Sequence, residues 1–390
     1  MRRTGHIRER SPGSFELRYS LGADPATGRR RIATTTIRGN RKDAERELRR
    51  LLRAVDIGEH VDPSRITLRQ WLATWIATVR HEVAPRSFDR YAAIVNRHLI
   101  PALGNLRLTK LAPAHIQDFY NTLASSGRRD GRPGGLAPRS RRQLHRVLAT
   151  ALSRAVEQQL ISRNPTDIFK RRLPKVEPRE MVTLTAEQST VLIETVQGSP
   201  LYAPVVIALA TGARRGETLA LRWRNVDLDR GAIRIVESLE QTAAGLRFKA
   251  PKNGRGRTVT LPVFAVGELR RLKREQAENL LMLGIRQTGE TLVCARADGA
   301  PLQPVALTHL FTRLIEHMAD LPRVRFHDVR HTHATQLLLA GVHPRIAQER
   351  LGHSTVVLTL DLYSHVTATM QEDAAAKIDE VFRPATKPVR

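Results

Sequence analysis

Apolar residues recur at helical spacing through the middle of the chain. Four segments carry the pattern, in the order LRQWLATWIATVR, RSFDRYAAIVNRHLI, PAHIQDFYNTL and PRSRRQLHRVLATALSRAVEQQL. Thr67 and Pro113 stand where helices begin, and Asn164-Pro165 is expected to end the last helix. We therefore predict an all-α domain over residues 66–164.

Aromatic side chains are interleaved with these apolar positions. Base stacking is one interpretation, but helical spacing beside Leu, Ile and Val favours a hydrophobic core. The residues concerned are Trp71, Trp75, Tyr91, Phe119 and Tyr120.

The first 60 residues alternate between polar and apolar positions in the manner of strands. SFELRYSLG and RRRIATTTIRG flank the turn-rich ADPATG, and RKDAERELRRLLRAVDIG follows with helical spacing. We expect a small α+β domain over residues 1–60. Its Arg29, Arg30 and Arg31 either contact a DNA groove or backbone, or form a solvated face.

The C-terminal part of the chain contains both the helical spacing and the strand-like alternation of apolar residues. TAEQSTVLIETVQ opens with a capping-box spacing from Thr185 to Gln188, and APVVIALATG reads as a buried helix that ends at Gly212. AIRIVE, LRFKA and RTVTLP predict strands of one small antiparallel sheet. We expect a mostly helical α+β domain over residues 183–385, joined to the helical domain by an extended, proline-rich linker at residues 165–182.

The amino-acid composition indicates what kind of partner this multidomain protein binds. The 390 residues hold 64 Lys and Arg against 38 Asp and Glu, a formal net charge of +26. Such a charge favours a polyanion such as nucleic acid, although a ribosomal, membrane-surface or merely soluble basic protein is open on charge alone. The single cysteine, Cys294, excludes an intrachain disulfide and a zinc site of clustered cysteines. With no long apolar stretch and no apolar leader at the start, a cytoplasmic, reducing location without membrane contact is expected.

Four motifs carry residues suited to breaking a phosphodiester bond. Arginine binds phosphate with two parallel hydrogen bonds and keeps its charge, and His327 and Arg330 share one face of a helical turn. Structural ion pairs would explain the arginines equally well. The motifs are ATGARRGETLALRW with Arg214, APKNGRGRTVTLP with Lys252, FHDVRHTHAT with His327 and Arg330, and LGHSTVVLTLDLYSH with His353 and Tyr363.

Lys252 and the histidines each have a second interpretation. The Asn-Gly after Lys252 predicts a hairpin turn, where a lysine either enters a DNA groove or faces water. His327 and His331 have the spacing of a helical zinc pair, yet no HExxH pattern accompanies them. His331 and His333 are expected on different faces, in packing or supporting roles.

Together the motifs resemble the catalytic domain of the tyrosine recombinase, or phage integrase, family, in the family's order and close to its spacing. The resemblance implies a DNA breaking-rejoining domain in which Arg214, Lys252, His327, Arg330 and His353 surround the scissile phosphate. Tyr363 then forms a 3′-phosphotyrosyl bond and frees a 5′ hydroxyl, with Lys252 as general acid. Glu217 matches the family's acidic position and is expected to support the cluster. No metal, ATP or other cofactor is implied.

The resemblance extends to the other domains. Residues 66–164 are similar to the SAM-like core-binding domain, and Arg139, Arg141, Arg142 and Arg146 along its last helix are candidates for DNA contact. Residues 1–60 resemble an arm-binding domain. The implied partners are double-stranded DNA at core and arm sites, an excisionase and a DNA-bending protein.

The C-terminal tail and the exact activity leave alternatives open. Met370, Ala374, Ile378 and Phe382 recur at helical intervals, so the tail either packs on its own domain or links neighbouring protomers of a tetramer. An integrase of a prophage or mobile element is the favoured activity. A type IB-like topoisomerase, a chromosome-dimer-resolving recombinase and a DNA-binding regulator that never cuts are the alternatives.

Overall fold

The computed structural model describes residues 5–23, 28–56, 66–177, 181–252, 254–353, 355, 375–376, 378–379 and 382. The chain divides into two compact units, Met1–Pro178 and Arg179–Arg390. The division falls within the segment predicted as a linker. As the sequence predicts, the fold is multidomain, with a small α+β part, an all-α part and a mostly helical α+β part.

The first unit begins with a three-stranded antiparallel sheet of order β1-β2-β3 and a helix that packs on one face of it. The elements are β1 (Gly5–Ser11), β2 (Ser14–Ala23), β3 (Arg30–Arg38) and α1 (Arg41–Asp56). Strand β1 is absent from the sequence-based prediction, because GHIRERS contains one apolar residue in an otherwise polar run. Phe15, Leu17, Tyr19 and Ala33 point toward α1, so the alternate positions Arg8, Arg18 and Thr34 occupy the opposite face.

The rest of this unit is helical. Its elements are α2 (Leu68–Glu82), α3 (Pro85–Ile94), a π turn (Val95–Leu99), α4 (Ile100–Leu103), α5 (Pro113–Ser126) and α6 (Pro138–Glu157). Thr67 and Gln70 form a reciprocal capping box at the start of α2. The aromatic residues belong to the hydrophobic core, with Trp71, Trp75 and Phe119 buried and Tyr91 and Tyr120 packed against them.

The end of α6 and the first part of the predicted linker differ from the prediction. Helix α6 ends at Glu157, before Asn164. Residues 164–169 fold back onto the helical core, because Asn164 bonds to Ala149, Ser153 and Thr166 and because Phe169 is buried edge-on against Tyr120. Asn164 and Phe169 together anchor the first part of this basic, proline-rich segment.

The second unit surrounds a large apolar core that includes nearly all of one helix. Its first elements are α7 (Ala186–Thr195), α8 (Tyr202–Thr211), α9 (Arg215–Leu219), β4 (Val226–Asp227), β5 (Ala232–Ile235), β6 (Ser238–Thr242), β7 (Gly245–Lys249) and β8 (Arg257–Thr260). The remaining helices are α10 (Val263–Met282), α11 (Pro304–His317), α12 (Phe326–Leu339) and α13 (Pro344–Leu351). Helix α8 has most of its side chains in the core and ends at Gly212 in the left-handed conformation, as its sequence predicts.

The strands of this unit form two sheets, so the prediction of one sheet is wrong. Strands β4, β5 and β8 form one antiparallel sheet, and β6 pairs with β7 in a separate hairpin. Lys252 therefore lies in a connection between two sheets and not at the tip of a hairpin. The Asn-Gly pair suggested a turn there, but strand pairing depends on the partners that each apolar face covers.

Candidate active site

Arg214 stands at the junction between two helices. Gly212 ends α8 with φ 64°, and Arg214 caps the amino end of α9. Its backbone N–H and one guanidinium nitrogen, Nη1, donate to the two oxygens of Glu217, each at 2.9 Å. Nη2 donates to the carbonyl of Gly352 at 3.0 Å, and the side chain stays 28% exposed. The guanidinium is thus fixed from two sides while one edge faces outward.

Arg330 is a buried cation on the second turn of α12. The residue is 4% exposed, and its guanidinium donates to the carbonyls of Gly212 at 2.6 Å and Leu351 at 2.7 Å. Burial, and then the neighbouring positive charge of Arg214, lower the pKa of Arg330 to about 9. A pKa lowered in this direction marks a positive charge that its surroundings do not fully compensate.

Glu217 is the carboxylate that joins these elements. It is 2% exposed and accepts, besides the bonds from Arg214, a bond from Arg257 Nη2 at 2.8 Å. Burial alone would raise the pKa of Glu217, but the hydrogen bond and charge of Arg257, followed by those of Arg214, hold it below the ordinary value. Glu217 therefore stays ionised at neutral pH and accepts hydrogen bonds from both Arg214 and Arg257.

Arg257 is a member of this site that the sequence patterns do not single out. It begins β8, far from Arg214 and Arg330 in the chain, and its Nε donates to the carbonyl of Arg350 at 2.9 Å. No spacing or motif in APKNGRGRTVTLP marks it above its neighbours. We call Arg214, Glu217, Arg257 and Arg330 the arginine cluster.

Two helix ends supply the carbonyls that hold the arginine cluster. Helices α8 and α13 both stop at a glycine with positive φ, Gly212 and Gly352. The last carbonyls of a helix lack partners within it and carry the negative end of its dipole, so they suit guanidinium groups. This arrangement holds cations without neutralising them, as binding of an anion requires.

His353 follows the end of α13 directly and is half-buried. Burial, and then the charges of Arg330 and Arg214, lower the pKa of His353 to about 4. The imidazole is therefore neutral at pH 7 and retains one ring N–H for donation. Because the charges of Arg330 and Arg214 act on its ring, His353 lies near the arginine cluster.

His327 and His331 lie on successive turns of α12 with ring centroids 5.1 Å apart. Desolvation of the His327 ring by the surrounding protein lowers the pKa of His327 to about 4. His331 and Arg330 make smaller contributions in the same direction. Neutral His327 has a ring nitrogen free of a proton, as a base requires. Within the described ranges, His, Cys, Asp and Glu form no group of three or more arranged for a metal.

His333 serves packing. Its Nδ1 donates to the carbonyl of Leu209 at 2.6 Å, and its Nε2 accepts from Arg350 Nε at 3.2 Å. Arg350 also donates to the carbonyl of Ala210 at 2.8 Å. His333 thus fastens α12 and α13 to the end of α8, behind the arginine cluster.

Lys252 is a described, predicted catalytic residue that the structure does not bring to the arginine cluster. The Lys252 side chain is exposed in the connection between β7 and β8, where no hydrogen bond joins it to another described residue. Tyr363 lies outside the described residues, as do Met370 and Ala374 of the predicted tail helix. Ile378 and Phe382 are described and exposed.

The candidates for DNA contact lie on two surfaces. Arg29, Arg30 and Arg31 are exposed at the start of β3, where Arg30 Nε donates to Ser20 Oγ at 3.3 Å.

On α6, Arg139, Arg142 and Arg146 are exposed at spacings that place them on one face. Arg141 differs from these three, because it is partly buried and its Nε makes no hydrogen bond to the described residues.

No helix among the described residues is both long and apolar enough to cross a bilayer.

Known families match both the helical domain and the domain that holds the arginine cluster. The phage integrase family matches residues 178–370, and the phage integrase N-terminal SAM-like domain matches residues 67–124. The ICEBs1 integrase of Bacillus subtilis (strain 168) is 27% identical over 383 residues, which cover 96% of this chain and 100% of that protein.

Solved structures share the fold. The Tn1549 transposon integrase in complex with a circular intermediate DNA superposes with a TM-score of 0.64 at 22% identity, over 81% of this chain and 99% of that one. A lambda integrase dimer bound to a COC′ core site superposes with a TM-score of 0.58 at 17% identity, over 91% and 93% of the two chains.

Proposed function

This chain belongs to the phage integrase family, and as a site-specific recombinase it cuts and rejoins DNA; we propose that it does so through a covalent bond between DNA and Tyr363. The observation that carries the proposal is Arg330, a buried guanidinium held by two carbonyls beside the partly exposed Arg214. Such a pair of cations gains most from an anion that arrives with the substrate. A DNA phosphate is that anion.

The reaction is a displacement at phosphorus. The phenolic oxygen of Tyr363 forms a bond to the scissile phosphorus as the bond to the 5′ oxygen breaks, which leaves a 3′-phosphotyrosyl link. The phenol proton passes to His327 or to a residue that His327 supports, and Lys252 gives a proton to the leaving 5′ oxygen. Arg214 and Arg330 bind the two nonbridging oxygens, where negative charge builds up in the transition state.

The neutral state of both histidines at pH 7 permits the roles proposed for them. His327, with its pKa near 4, has a ring nitrogen without a proton and accepts one from the phenol, or supports the residue that does. His353 donates its ring N–H to a nonbridging oxygen. An unperturbed phenol has a pKa of about 10, so the cations that surround the phosphate also favour loss of the Tyr363 proton.

Rejoining needs no external energy source. The phosphotyrosyl bond replaces one phosphodiester with another, and a free 5′ hydroxyl reverses the first step. Recombination between two duplexes cuts four strands, and each chain offers one Tyr363, so we propose four copies on the DNA. Their action belongs in the cytoplasm, where an excisionase and a DNA-bending protein set the direction for a prophage or mobile element.

DNA contacts outside the cluster are proposed for the helical domain and the N-terminal sheet. The Arg139, Arg142 and Arg146 face of α6 would follow the backbone at the core site. The sheet carries Arg8 and Arg18 on the face opposite α1, which extends the arm-site proposal beyond Arg29, Arg30 and Arg31. Charge on an exposed face suits phosphate contact, which fixes position without reading sequence.

The decisive experiment uses nicked duplexes carrying the site, taken from DNA that flanks the gene. The native protein should form an SDS-stable DNA adduct in EDTA without ATP, and should exchange strands between two site-bearing duplexes. On a separate supercoiled plasmid that carries the site, relaxation without strand exchange would indicate a topoisomerase. Binding without an adduct would indicate a regulator, and would contradict the proposal.

A further inference from the structure

Arg257 contacts both of the groups that hold the Arg214 guanidinium. The first is Glu217, whose carboxylate accepts from Arg214 Nη1 and, at 2.8 Å, from Arg257 Nη2. The second is Gly352, whose carbonyl accepts from Arg214 Nη2. Arg257 packs so closely on Gly352 that a Cβ atom there would come within 2.9 Å of Arg257 Nη1.

The hydrogen bonds of Arg257 connect three elements. Nη2 reaches Glu217 on α9, and Nε reaches the carbonyl of Arg350 on α13 at 2.9 Å, while the residue itself begins β8. Its side chain is 10% exposed, so water competes little for these bonds. Planar guanidinium geometry fixes the directions of both bonds at once, which a lysine ammonium does not do.

The charge of Arg257 matters as much as its position. A buried Glu217 paired with Arg214 alone would form a neutral ion pair and weaken the attraction of Arg214 for a phosphate. With Arg257 bound to the same carboxylate, two positive charges face one negative charge. Arg257 makes the largest contribution that lowers the pKa of Glu217, ahead of Arg214.

We propose that Arg257 is a positioning residue for DNA cleavage. It holds Glu217 and the end of α13 so that Arg214 points at the scissile phosphate, and it offsets the negative charge of Glu217 so that Arg214 still attracts that phosphate. The inference rests on the proposed function of the arginine cluster. Arg257 itself does not touch the phosphate. It also follows Lys252 by five positions, so its bonds fasten the carboxyl end of the segment that carries the proposed general acid.

The test measures single-turnover adduct formation and, separately, DNA affinity. Arg257→Ala should lower the cleavage rate at saturating DNA by about 100-fold, as small misplacements of a catalytic group do, with DNA affinity close to native. Arg257→Lys keeps the charge but reaches one acceptor, so it should recover part of the rate. Thermal unfolding of each variant identifies any loss of fold, and Arg257→Lys supplies a conservative variant for that case.

Two further variants distinguish a positioning role of Arg257 from a general disturbance of the structure. Because Arg257 acts through Glu217, the double variant Arg257→Ala, Glu217→Gln should cleave no more slowly than the slower single variant. Arg222→Ala is the matched control: Arg222 also binds a carboxylate, Glu237 at 3.0 Å, and a carbonyl, Glu290 at 2.9 Å, with its side chain 19% exposed. Its cleavage rate should stay native.

Three results would overturn the inference. They are native cleavage by Arg257→Ala, native cleavage by Arg257→Lys, and losses that multiply in the double variant. Failure of the native protein to form any adduct would be a different outcome, because it would remove the proposed function itself.

Discussion

At the scale of single residues, the site depends on cations that are fixed but not neutralised. Arg330 is bound to carbonyls of Gly212 and Leu351, and these bonds orient the guanidinium without cancelling its charge. Under the proposed function, a phosphate that enters beside Arg214 would complete the arrangement. His353 is neutral before DNA binds because burial, and then the charges of Arg330 and Arg214, lower its pKa.

Arg330→Lys should lower the single-turnover cleavage rate by about 10²- to 10³-fold, because one ammonium does not bridge two carbonyls and also bind phosphate. DNA affinity should change little, since other contacts supply most of it. Arg325→Lys serves as control, because Arg325 caps the same helix through an ion pair with Asp328 and is half-exposed. Equal losses of binding and cleavage in Arg330→Lys would assign the residue to DNA positioning.

His333 should make stability depend on pH. Burial, and then Arg350, lower its pKa from 6.5 in the unfolded chain to about 4. The unfolded state therefore binds more protons between these values, and the stabilising effect of neutral His333 is present above pH 6.5 and is lost as pH falls toward 4. The shift corresponds to roughly 3 kcal/mol.

The measurement is urea unfolding of the C-terminal unit at pH 7 and pH 4.5. His333→Gln should show a smaller difference between the two pH values than the native protein, by about 3 kcal/mol at most. His309→Gln removes an exposed histidine of α11 and should leave the difference unchanged. A pH dependence that is the same in both variants would show that His333 is protonated with little cost.

At the scale of elements, the site is built from the ends of helices. α8 and α13 stop at Gly212 and Gly352, and the carbonyls there accept bonds from Arg330 and Arg214. At Gly212 a side chain would meet both the left-handed backbone and its neighbours, because a Cβ would lie 2.6 Å from Leu351 Cδ2 and 2.7 Å from His333 Cδ2. The end of α8 is therefore restricted to glycine.

Gly212→Ala tests this restriction against a control with the same backbone. Gly198 has φ 70°, similar to the 64° of Gly212, but a Cβ added at Gly198 would have no described atom within 4 Å apart from those of its own residue and its chain neighbours. Gly198→Ala should cost about 1 kcal/mol of unfolding free energy from backbone strain. Gly212→Ala should cost about 1–3 kcal/mol more through steric overlap, and should also slow cleavage. Equal losses in the two variants would exclude the packing argument.

Local patterns predicted the elements better than the contacts between them. The capping box at Thr185 and the end of α8 at Gly212 depend on neighbouring residues, and both were predicted correctly. The division of the strands into two sheets depends on long-range pairing, and it was not. Arg257 was missed for the same reason, since its partners Glu217 and Arg350 are distant in the chain.

Among the proposed DNA-contact residues, the same limit applies. Helical spacing separates the exposed Arg139, Arg142 and Arg146 from Arg141 once the burial of α6 is known. Residue type alone had made all four arginines candidates for DNA contact. Arg214 and Arg330, in contrast, were selected by the motifs that resemble a family, and the structure places these two side chains near each other.

At the scale of the whole molecule, the net charge of +26 predicts strong, salt-dependent binding to DNA. Replacing Arg139, Arg142 and Arg146 with alanine should reduce the slope of log affinity against log salt by up to about 2.7, if each contacts one phosphate. Arg154→Ala is the control on the same helix, because Arg154 already pairs with Glu82 at 2.9 Å. An unchanged slope in the triple variant would remove this face from the interface.

The central chemical proposal concerns the residue that becomes bonded to DNA. The most direct measurement is tandem mass spectrometry of the trapped adduct after nuclease and protease digestion. We predict that the peptide containing Tyr363 carries the nucleotide through a 3′-phosphate, and that Tyr363→Phe forms no adduct. Attachment to another residue such as Tyr202, or an undiminished adduct in Tyr363→Phe, would contradict the proposal.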